Sequence, residues 1–185
     1  MFDGTNDYLD VYLGDPIVGS DFTLEAWVRN DGTWSSTNEV VFNPYAGASS
    51  STTFIGSMAI YNGYIATWRG GWSVGTTNQL SNNTWHHVSW TRDSGTVYCH
   101  VDGQFVTSRG NTAGSTGLGY TTISNTNGDF GGHIDEIRIT EGNRYGVTTG
   151  NFTAPTAAFV NDADTRALIH CDGTDASTDF PDDNS

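Results

Sequence analysis

From Phe22 to Val28 every second residue is apolar: Phe22, Leu24, Ala26 and Val28 alternate with Thr23, Glu25 and Trp27, and Arg29 follows. A period of two belongs to a strand with one face in a core and the other turned outward. Trp27 interrupts the polar set, so the outer face is expected to be partly covered. Similar runs, rich in Val, Ile, Thr and aromatic residues, occupy 7–12, 38–43, 54–61, 64–69, 85–93 and 96–102. Others lie at 104–109, 120–124, 133–140 and 166–171. Gly, Asn, Ser and Asp separate them, which is the punctuation of an all-β sandwich or barrel. No 11-residue window carries a helical period; one short helical turn is expected near 156–160, in the loop 141–165 that contains Pro155.

Asn62-Gly63 and Asp102-Gly103 each join two such runs, and these dipeptides favour the type I′ hairpin turn. Asp93-Ser94-Gly95 is a slightly longer turn of the same kind. The four runs from 85 to 124 therefore predict one antiparallel meander. The run 166–171 has Ala167, Leu168, Ile169 and Cys171, apolar on both faces, and predicts a buried strand in the domain's own sheet, close to the first strand.

The chain has 185 residues, 21 acids against seven Arg, and no Lys, for a net charge of -14. Such a surface repels phosphate backbones, so nucleic acid is not an expected partner. No apolar run approaches the length of a membrane helix, so membrane insertion is not expected. The opening Met1 to Asp7 lacks the basic and apolar regions of a signal peptide; export would use another route, or the chain is cut from a longer one. Cys99 and Cys171 set no disulfide framework, and both free thiols and a single long-range bridge remain open.

Four segments in order carry a resemblance. They are FDGTNDYLDV (2–11), DFTLEAWVR (21–29), TWHHVSWTRDSGTVYCHVDGQFV (84–106) and GGHIDEIRIT (131–140). Together they resemble the concanavalin A-like, laminin-G-like jelly-roll domains. The resemblance implies an antiparallel β-sandwich over 1–171, with 172–185 as an acidic tail. It also implies a structural calcium held by Asp3, Asp7 and Asp135; the alternative is that Asp3 and Asp7 cap turns. In similar domains a strand like ALIHCDGTDASTDF (167–180) precedes the F-D-G segment, whereas here it comes last. That strand and NFTAPTAAF (151–159) resemble repeats of phage structural and bacterial surface proteins, which implies an extracellular place on a virion or cell surface.

The superfamily includes glycanases and lyases, so catalysis needs weighing. A retaining glycosidase needs two carboxylates about 5–5.5 Å apart. Asp135 and Glu136 are adjacent and face opposite sides of a strand, and Glu25 has no acidic partner in its own. Arg138, His133 and Tyr145 supply the residue types of a polysaccharide lyase without a recognised arrangement. No histidine spacing suits zinc. The chain is therefore read as non-catalytic. Exposed aromatics beside amides make glycan platforms, and Tyr64, Trp68, Trp72 and Trp34 lie near Asn38, Asn43, Asn62, Asn78 and Gln79. On the run 64–69, Tyr64, Ala66 and Trp68 share one face. The alternative is that these rings fill the core, as is expected of Trp27, Trp85 and Trp90. The leading function is a non-catalytic carbohydrate-binding or adhesion module recognising a cell-surface glycan; the competing one is a structural virion or spacer domain docked on neighbouring surface proteins.

Overall fold

The computed structural model describes residues 1–17, 21–45, 56–68, 71–110, 118–124 and 128–172. Among them there is no helix; the strands form two antiparallel sheets of a jelly-roll sandwich. The first sheet contains β1 (Phe2–Asp3), β3 (Phe22–Arg29), β8 (His86–Asp93), β9 (Thr96–Val101), β10 (Gln104–Gly110), β12 (Gly131–Glu141) and β13 (Thr165–Ile169). Its order is β1-β12-β3-β8-β9-β10, with β13 also on β12. The second holds β2 (Leu9–Ile17), β4 (Asn38–Tyr45), β5 (Met58–Tyr61), β6 (Tyr64–Trp68), β7 (Trp72–Val74) and β11 (Leu118–Ile123) in the order β2-β11-β4-β5-β6-β7.

The hairpin turns follow from their residues. Asn62-Gly63, Ser94-Gly95 and Asp102-Gly103 each have two consecutive positive φ values, the type I′ geometry that matches strand twist. Three strands of the expected meander, β8, β9 and β10, do run consecutively. The fourth does not: β11 crosses to the other sheet and pairs with β2 and β4. The expected helical turn near 156–160 is absent, and that stretch is irregular coil lying over the first sheet.

Alternation fills the core from both sheets. Phe22, Leu24, Ala26 and Val28 are all essentially inaccessible, as the pattern of two requires. They meet Phe42, Met58, Ile60 and Ile65 from the other side. Trp90 bridges the layers, its indole N–H donating to the Ala66 carbonyl at 3.1 Å and its ring edge-on to Phe42. A buried indole thus satisfies its one donor inside the core.

The predicted strand 166–171 is β13, paired with β12 through Ile137↔Ile169, Arg138↔Leu168 and Ile139↔Ala167. Cys171 is half-buried against the core, and both cysteines are free. Burial, then the carboxylate of Asp135, pushes the Cys171 thiol up to about 12; the nearby N-terminal ammonium pulls the other way. The expected acidic tail, beyond Asp172, lies outside the described residues.

Candidate functional site

Strand register fixes which side chains share a surface. On β6, Ile65 joins the core, so Tyr64, Ala66 and Trp68 face away from it. Trp68 pairs directly with Trp72, and Ala66 with Val74. Tyr64 pairs with Tyr61, and Asn38 with Tyr61 in turn. The outer face of the second sheet therefore carries Tyr61, Tyr64, Trp68 and Trp72 as one aromatic group. All four are half-buried, and the alanines among them, Ala59 and Ala66, are fully buried. Polar groups border it. The Gln79 amide donates to the Asn62 carbonyl at 2.8 Å, and the Asn43 side-chain oxygen accepts from Ser57. The Arg109 guanidinium comes within 3.8 Å of the position a Cβ on Gly71 would take.

Trp34 does not belong to this surface. It is 5% exposed and packs edge-on against Phe130 in the core, because its segment is held against the Asn62-Gly63 turn, where the Asn62 amide donates to the Ser35 carbonyl at 2.9 Å. Tyr61 is the member that the sequence reading missed; its place opposite Tyr64 across the Asn62-Gly63 turn was the available signal. Trp85 departs from its expected core position in the other direction. It is 37% exposed on the first sheet's outer face, with the Arg29 guanidinium 5.6 Å from its ring centroid and His133 edge-on. Trp85 precedes β8, where alternation no longer compels burial.

Asp3, Asp7 and Asp135 are not brought together as an ion site. Asp7 accepts the Asp3 amide at 2.7 Å, and Asp3 accepts the Thr5 amide at 2.8 Å. The Asn6 amide goes to Asp129, not to Asp135. Asp135 sits four residues along β12 from the partner of Asp3 and takes the Glu136 and Cys171 amides. Among the described residues no group of three His, Cys, Asp or Glu side chains is arranged to hold a metal. One oxygen of each carboxylate accepts backbone amides, and for Asp3 and Asp7 this is the geometry of the turn-capping alternative.

Acid, base and phenol do converge on the first sheet's outer face. Glu25, fully buried, accepts Arg138 at 2.7 and 2.8 Å on one oxygen. Its other oxygen takes His87 at 2.9 Å and the Tyr145 hydroxyl at 2.5 Å. Burial alone would raise the Glu25 carboxyl, but His87, Arg138 and Tyr145 outweigh it and hold the group below its ordinary value. Burial and the Glu25 charge raise the Tyr145 phenol. His133, named beside Arg138 and Tyr145 from the sequence, instead pairs with Asp31, and His87 takes its place. Phe159 lies against Arg138, with the guanidinium 4.1 Å from its centroid, and Phe152 stacks on Tyr145 at 3.7 Å. The side chains of Glu25 and His87 have no exposure and that of Arg138 has 4%, while Tyr145 is half-buried at the cluster's outer side. The cluster is a clamp that ties the coil 142–164 to the sheet; its partners satisfy a charge that would otherwise be buried alone.

Known proteins resemble this architecture. A Bacteroides ovatus protein described as a candidate carbohydrate-binding protein is 17% identical, with a TM-score of 0.67 over 98% of this chain. The chain spans 54% of that protein's length. The heptameric SAP-like pentraxin of Limulus polyphemus is 13% identical, with a TM-score of 0.56 over 75% of this chain and 73% of its own. Domains LG4-5 of the mouse laminin α1 chain give 16% and 0.53, over 75% of this chain and 39% of theirs. At these identities the likeness is one of fold. No curated protein matches the sequence. Residues 3–144 match the laminin G group of the concanavalin A-like lectin/glucanases superfamily, and the chain belongs to that family.

Proposed function

We propose that the domain is a non-catalytic carbohydrate-binding module, and that its ligand lies on the outer face of the second sheet. The observation that carries this reading is the direct cross-strand pairing of Trp68 with Trp72, in line with Tyr64 and Tyr61. Sugar C–H faces are apolar and stack on such rings, while bordering amides receive the hydroxyls. The Bacteroides neighbour described as a candidate carbohydrate-binding protein supports the same reading. The burial of Glu25, His87 and Arg138 supports a binding role over a catalytic one. The module would serve within a larger extracellular phage or bacterial surface protein, as the resemblance of 151–159 and 167–180 implies.

A glycan array probed with the parent chain and Trp72→Ala tests this. Binding of a defined glycan class by the parent, reduced in the variant with an unchanged melting temperature, is the expected result. No binding by the parent overturns the reading and favours a structural virion or spacer module, whereas equal binding by both overturns the outer face as the site.

A further inference from the structure

A second cluster of aromatics lies on the same face, at the opposite edge of the sheet. On β2, Leu9, Val11 and Leu13 face the core, so Asp10 and Tyr12 face out. Tyr120 on β11 is the register partner of Tyr12, and its hydroxyl donates to Asp10 at 2.5 Å. Tyr8 lies one residue before β2, two positions from Asp10 and four from Tyr12. Tyr12 is 77% exposed and Tyr8 55%. Three strands, β11, β4 and β5, separate β2 from β6, so this cluster is distinct from Tyr64 and Trp68.

Two rings this exposed are unusual in a chain that buries Phe22, Phe42, Trp90 and Phe130 completely. Their chemistry is uneven. The faces of phenol rings are electron-rich, and the Asp10 carboxylate, bonded to the Tyr120 hydroxyl, lies between Tyr8 and Tyr12 in the chain. Among the described residues no ion pair engages Asp10, and the chain has no Lys to supply one. The Tyr120 phenol is raised to about 12, first by its bond to Asp10, so it stays a neutral donor on one oxygen of that carboxylate. What such a surface lacks is a cation.

We propose that Tyr8, Asp10, Tyr12 and Tyr120 bind a methylated ammonium group. A primary ammonium is strongly hydrated, and a shallow exposed patch offers too few acceptors to replace its water. A quaternary ammonium is weakly hydrated, spreads its charge over methyl groups, and is the cation that aromatic faces recognise. Its charge is answered by Asp10, and its methyl groups rest on the rings.

The test titrates choline chloride and tetramethylammonium chloride into the full chain and follows tyrosine ring signals by NMR at constant ionic strength. Controls are 3,3-dimethylbutan-1-ol, which has the shape of choline without its charge, and methyl glucoside. Both ammonium salts should shift the Tyr8, Tyr12 and Tyr120 rings saturably, and the two neutral compounds should not. Asp10→Asn should weaken binding about threefold or more, and Tyr12→Ala more than that. Both positions are exposed, and unchanged melting temperatures would verify folding. The inference is overturned if choline moves none of these rings, if a neutral compound moves them equally, or if Asp10→Asn binds as tightly as the parent. Trp72→Ala should leave choline binding unchanged, so this outcome is separable from that of the glycan array.

Discussion

Phe152 lies directly over Gly103. Its amide donates to the Gly103 carbonyl at 2.9 Å, and a Cβ on Gly103 would stand 2.1 Å from the Phe152 carbonyl oxygen. The turn that closes β9 onto β10 is thus also the seat of the coil that crosses the first sheet. Gly103 has φ +75, which L side chains rarely adopt, so conformation and space both call for glycine. Gly103→Ala should lower stability by about 2 kcal/mol or more through strain and displacement of Phe152. Denaturant titration measures this, with the exposed, unobstructed Gly146→Ala as the control for positive φ alone.

The Glu25 clamp makes stability depend on pH at both extremes. Its folded carboxyl lies below the ordinary value, so its contribution is present above the unfolded pKa and is lost as pH falls through the folded one. Tyr145 works in the opposite sense. Its raised phenol favours the folded chain below the ordinary tyrosine value near 10, and that advantage is lost as pH rises further. Thermal melts across pH should show a plateau between these limits. Tyr145→Phe should remove the alkaline loss that this phenol causes.

Trp34 and Trp72 should separate stability from binding. Trp34→Ala empties a core position and should cost about 3–5 kcal/mol. Trp72→Ala, half-buried on the outer face, should cost much less while reducing glycan retention in affinity electrophoresis. A large fall in melting temperature for Trp72→Ala would assign that ring to packing.

Asp135 ties the last strand to β12 through the Cys171 amide. Asp135→Ala should therefore lower the melting temperature equally with calcium and with chelator. A loss seen only in calcium would restore Asp135 as a metal ligand.

Alternation made the core legible from the sequence: the inward residues of 22–28 and the outward set of 64–68 both lie where a period of two places them. The I′ turns were equally plain, since Asn-Gly and Asp-Gly answer to local sterics. The crossing of β11 was not legible, because a strand's own pattern does not say which sheet it joins. Trp34 misled for a related reason. An aromatic ring in a loop has no periodicity, and only the tertiary path shows whether it joins the core. The Glu25 clamp joins residues more than 100 positions apart, Glu25 with Arg138 and Tyr145, so no local spacing announced it. β1 and β7 escaped notice because strands of two and three residues carry no repeat.

The two strands that share one edge of β12 also lie head to tail. β13 descends along it from Thr140 to Ile137, and β1 continues in the same direction opposite Gly132 and Gly131. Spatially they are one broken strand, with the break between Cys171 and Met1. A chain that starts with the 166–171 segment and runs straight into Phe2-Asp3-Gly4 would therefore trace the same sandwich. The order in which the two pieces occur along the chain is therefore not what fixes the shape of this edge. Removing residues 173–185, linking Asp172 to Met1 by a short linker and opening the chain at the Ser94-Gly95 turn should leave the fold intact.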